Sequence, residues 1–114
     1  MGVEKTMTLE AMEKINAEAT ASADQAVSKF LAEYGEPMYC GFAWVNVKTR
    51  SNSKLGKALQ AVGFSKSWES GVLYKWSPSS YMGQSMDVKE EAAMAYVEVL
   101  KAKGIDAWYG SRAD

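Results

Sequence analysis

Phe42, Trp44 and Asn46 sit at alternate positions of one apolar run, and Tyr74 and Trp76 at alternate positions of another. If both runs are strands, alternation sends each set to a single face of a sheet. Rings in that setting stack on bases, at ~1–3 kcal/mol each, or bury ~150–250 Å² apiece against protein. The chemistry open to them is recognition, not bond-making.

Residue types that make and break bonds are scarce. The chain has no histidine, which removes the commonest general base, the Ser-His triads and imidazole metal sites. Glu90 and Glu91 are adjacent, so on a helix they diverge by about 100° and read as solvated surface beside Lys89. Neither a Walker phosphate loop nor a dinucleotide fingerprint is present. Gln84 and Ser85, ahead of a helix start, and Arg112, close to the C-terminus, are weak anion-site candidates. Ser85 reads first as a helix cap, and Arg112 as an exposed ion-pair partner of Asp114. Cys40, the single cysteine, reads as a small buried hydrophobe. No catalytic residues, no metal and no cofactor are expected.

Charge is unevenly spread. The net charge is −1 over 114 residues, yet residues 38–80 carry one acid against six bases while both flanks are acidic. Lys48, Arg50, Lys54, Lys57 and Lys66 fall around one short helix, where they would hold an anionic partner or form a solvated basic face. At 47% apolar and 24% charged, the composition is that of a globular protein with a real core. No apolar run approaches the ~20 residues of a membrane span. The first residues lack a basic stretch followed by an apolar core, so a cytoplasmic setting is expected.

The elements that position these residues follow from periodicity. Leu9, Met12, Ala19, Ala23, Val27, Phe30 and Tyr34 recur at helical spacing, between a Thr8 cap and a Gly35 stop. At ~1.5 Å per residue such a helix would be about 39 Å long, which predicts a break or an overhang. Pro37 closes a linker, dividing the chain into a helical extension, 1–37, and a domain, 38–114. Within the domain the order reads strand (42–47), helix, strand (64–68), strand (72–76), helix and a short edge strand (105–109). Gly71 supplies the turn of a bulged hairpin. Asp87 with Glu90 resembles a capping box for the second helix.

This order predicts an α+β, ferredoxin-like split βαβ (βαββαβ) antiparallel sheet with an added N-terminal helix. Right-handed crossovers would put both helices on one face and the first and third strands at the centre. Ala43, Val45 and Val47 would pack under the helices, leaving Phe42, Trp44, Asn46, Tyr74 and Trp76 on the other face. Such a patch requires a cover: the N-terminal helix in cis, a second copy docking by its sheet face or by helix exchange, or a ligand.

Three segments, CGFAWVNV (40–47), GQSMDVKE (83–90) and GIDAWYGSRAD (104–114), resemble a family of short uncharacterised proteins encoded by tailed bacteriophages. The resemblance implies phage origin and a role inside the infected cell. It implies no catalytic residues. The resulting expectation is a non-enzymatic protein-interaction module, a modulator of a host or defence protein, acting through the aromatic sheet face and the N-terminal helix. Its expected partner is a protein, including a second copy in a homodimer, with no membrane. The alternative is single-stranded nucleic-acid binding by stacking on the central strands.

Overall fold

The long helix does not cross the sheet. In the computed structural model, which describes residues 2–114, α1 spans Val3–Thr6, α2 Leu9–Tyr34, β1 Gly41–Lys48 and α3 Lys54–Ala61. They are followed by β2 (Ser65–Lys66), β3 (Val72–Lys75), α4 (Met86–Ala102) and β4 (Ala107–Ala113). α2 packs on α4, with a smaller contact to α3. Of the three covers left open for the aromatic face, the N-terminal helix in cis is therefore not the one observed. The cause lies in side-chain size. Ala19 and Ala23 on the buried stripe of α2 are methyl-sized, and small side chains let two helix backbones approach closely.

α2 runs antiparallel to α4. Its N-terminal half carries Asn16, which accepts a hydrogen bond from the Tyr96 hydroxyl, and Glu18, which lies 3.4 Å from the Lys103 ammonium. Met12 and Val27 complete its buried stripe. The helix is continuous over its 26 residues, about 39 Å by rise per residue, and matches the 42 Å long axis of the molecule. Of the break or overhang expected, the break is absent. Thr8 caps it by accepting from the Ala11 N–H at 3.1 Å. Ahead of it, α1 packs on α3 and buries Met7.

The fold class is α+β. Four antiparallel strands form one open sheet in the order β2-β3-β1-β4, so β1 and β3 are central. Burial alternates along β1. Ala43, Val45 and Val47 lie beneath the helices with Leu59, Leu73 and Val88, while Phe42, Trp44 and Asn46 are half-exposed on the opposite face. Ser85, not Asp87, caps α4 by accepting from the Val88 N–H. None of the described helices is long and apolar enough to cross a membrane.

Three local features differ from the sequence expectation. β2 is only two residues long, because Phe64 turns into the core against Tyr96, with ring centroids 6.3 Å apart. β4 begins later and runs further than expected, since β1 offers it pairing positions from Gly41 to Val47. Cys40 is exposed rather than buried, because it lies at the sheet rim just before β1.

Candidate interaction face

Register assembles the aromatic face. Asn46 pairs with Tyr74 on one side and Trp108 on the other, Trp44 lies opposite Gly110, and Phe42 opposite Arg112. Directly opposed residues project to the same side of an antiparallel sheet. The face therefore holds Phe42, Trp44, Asn46, Tyr74 and Trp76, joined by Trp108 and Arg112. No helix among the described residues lies over it.

The rings order one another. Trp44 and Trp76 are stacked, with centroids 5.4 Å apart and planes 14° from parallel. Trp76 also meets Phe42 at 5.4 Å. The Trp44 indole lies across β4 where Gly110 leaves room: a Cβ there would sit 2.8 Å from its ring carbons. Lys89 reaches round the rim from α4. Its ammonium donates to the Gly41 carbonyl at 2.9 Å and lies 4.9 Å from the centre of the Phe42 ring, a cation–π contact. Trp76 (47% exposed) and Trp108 (40%) stand outermost.

Two depressions flank Trp76. One, of about 410 Å³, is lined by Trp44, Asn46, Tyr74, Trp68 and Arg112. The other, of about 260 Å³, lies between Phe42, the 77–84 loop and Lys89. The Tyr81 hydroxyl, at the second, donates to the Glu36 carboxylate, and burial together with that bond pushes its phenol pKa up.

The basic residues divide into two groups. Lys48 ends β1 in phase with Trp44 and Asn46, and Lys66 edges the larger depression. Arg50 and Lys54 line a cleft with Glu4 and Lys5 at the α1–α3 corner, and Lys57 is exposed near the middle of α3. The Thr49 hydroxyl donates to Glu4 at 2.6 Å and, with Arg50 and Lys5 nearby, holds that carboxyl below its ordinary value. A carboxylate thus sits within the basic cluster.

The weak anion-site residues do not converge. The Ser85 hydroxyl is buried and spent on the helix cap. Gln84 lines the smaller depression and gives its carbonyl to the Gly41 N–H at 3.2 Å. Arg112 lines the larger one, beyond Trp76. The expected Arg112–Asp114 ion pair is absent among the described residues, whose two ion pairs are Glu98–Lys101 and Glu18–Lys103. No group of three His, Cys, Asp or Glu side chains among them is placed to hold a metal ion.

Sequence reading missed Trp68, Trp108 and Gly110. Trp68 is 96% exposed at the β2–β3 turn, a placement that no periodicity marks. Trp108 belongs to the face only through its register with Asn46. Gly110, inside a strand, carried the usable signal: an interior strand glycine often marks the close approach of another group. Comparison of the chain with protein-family models, curated proteins and solved structures finds no match.

Proposed function

We propose that this chain is a non-enzymatic binding module whose open aromatic face docks a protein. The observation that carries the reading is the contiguity of Phe42, Trp44, Tyr74, Trp76 and Trp108 on a sheet face that the chain's own helices leave free. Tryptophan, tyrosine and arginine are the residues that dominate binding energy at protein interfaces. Trp44 is committed to Trp76 on one side and to the Gly110 backbone on the other, which favours a preformed apolar surface over rings free to take bases. The buried stripe of α2 is consumed on α4, so the contribution of α2 is to hold the helical layer rather than to cover the face.

Within the same proposal, the domain is a ferredoxin-like split βαβ, supported by the central position of β1 and β3 and the antiparallel pairing of every neighbour. Phage origin, a cytoplasmic setting in the infected cell and modulation of a host or defence protein rest on the three resembling segments. Self-association into a homodimer belongs to this reading.

One observation favours single-stranded nucleic acid as a second reading. Lys48 and Arg112 share the aromatic side of the sheet, and no carboxylate occupies a position within β1, β3 or β4 on that side. The test places a photo-cross-linking amino acid at Trp76 and, as a control, at Lys57, in host extract. One defined cross-linked protein from position 76 alone, competed by unlabelled chain, supports the protein reading. Saturable quenching of tryptophan fluorescence by oligothymidylate at low salt, with no position-specific protein product, overturns it in favour of the second.

A further inference from the structure

We infer that two copies of this chain join along the outer edge of β4, extending the two four-stranded sheets into one. The inference names the surface of the self-association proposed above and rests on that reading.

The two sheet edges differ. β2 is two residues long and carries Lys66, which are two of the devices by which proteins blunt an edge. β4 runs for seven residues, Ala107–Ala113, with no proline or lysine, and no strand among the described residues pairs with its outer side. The Lys48 N–H donates to the Asp106 carbonyl and the Asp114 N–H to the Cys40 carbonyl. Even-numbered residues of β4 thus bond inward to β1, and alternation turns the N–H and C=O of Ala107, Tyr109, Ser111 and Ala113 outward. Those groups are a template for another strand.

The edge is complementary to itself. A two-fold axis through Tyr109, perpendicular to the sheet, pairs Tyr109 with the partner's Tyr109 and Ala107 with the partner's Ser111. It sets Asp106 opposite the partner's Arg112, and Trp108 opposite the partner's Gly110. Each pair then lies on one side of the joined sheet, as antiparallel pleating requires. Neither Asp106 nor Arg112 has an ion-pair partner among the described residues, and the axis supplies one to each, twice over. A residue at the axis meeting its own copy is what a closed dimer demands. Beside the edge, on the helix side of the sheet, Met94 and Tyr109 are exposed around a groove of about 620 Å³ between α2, α4 and β4, apolar surface that the partner would cover, while Trp108 stays open on the aromatic side. The dimer would carry both aromatic faces on the same side.

The test combines light scattering with residue-resolved amide exchange on the full chain. The expected result is a particle of twice the 12.5 kDa chain mass, with slow exchange at Tyr109 and Ser111 that quickens on dilution. Ser111→Pro removes an outward N–H together with the hydroxyl that donates to Glu90 at 2.6 Å, and should give a folded monomer by circular dichroism, whereas Ser111→Ala, which loses the hydroxyl alone, should stay dimeric. Asp106→Arg and Arg112→Asp should each weaken the dimer about tenfold, and the double exchange should restore it. A monomer at every concentration overturns both this inference and the self-association it rests on. A dimer whose Tyr109 and Ser111 amides exchange freely overturns the β4 edge alone, as does a charge exchange without rescue when Ser111→Pro stays dimeric.

Discussion

Gly110→Ala isolates the packing of the aromatic face from the stability of the core. The added Cβ would sit 2.8 Å from Cε2 and Cζ2 of Trp44, about an ångström inside ordinary carbon contact at ~3.5–4.0 Å. The obstructing atoms belong to the outer part of a side chain, so the indole rotates and the strand holds. That rotation gives up much of the Trp44–Trp76 stack, worth ~0.5–1.5 kcal/mol, and adds off-rotamer strain of ~0.5–1.5 kcal/mol. Replacing a strand glycine returns ~0.5–1 kcal/mol. The expected net loss is about 0.5–2 kcal/mol, a fall in Tm of roughly 3–10 °C for a domain of this size. Thermal melts give the magnitude, and the near-ultraviolet tryptophan signal should weaken with it. In a Trp44→Leu background the same change should cost nothing or stabilise. An equal loss in both backgrounds would refute the reasoning, because the penalty would then not come from the indole.

Ala23→Leu should destabilise by about 1–3 kcal/mol in urea titration, since the α2–α4 contact has no room for three more carbons. Burial raises the Tyr96 phenol above its ordinary value of 10.0, so its contribution to stability is complete below pH 10 and is lost as pH climbs toward the folded-state value. Tyr96→Phe should flatten that alkaline decline while costing ~1–3 kcal/mol at neutral pH, because the Asn16 side chain loses its donor. Denaturant melts between pH 7 and 11 check both effects. The Cys40 thiol, exposed at the sheet rim, should react with Ellman's reagent in the native protein, with no lag for unfolding.

The alternation in residues 42–47 was enough to sort β1, because large and small side chains occupy opposite parities and only Ala43, Val45 and Val47 fit beneath helices. The α2 boundaries were legible for a similar reason, with Thr8 and Gly35 at its ends. Its docking partner was not. The same alanine-rich stripe would suit a sheet or a helix, and the choice depends on α4, some seventy residues away in sequence. Trp108 was hidden because a strand's face is defined by its neighbour's register, which local periodicity does not encode. Cys40 misled for the opposite reason: residue type predicts burial on average, whereas its place outside the first ladder pair left it at the rim.

The most direct measurement is native-state oxidation of the four tryptophans by N-bromosuccinimide at limiting reagent, read by peptide mass spectrometry. Trp68, Trp76 and Trp108 should be modified while circular dichroism still reports the folded chain. Trp44, enclosed by Trp76 and Gly110, should follow them. Protection of Trp76 and Trp108 until the chain unfolds would contradict an open aromatic face.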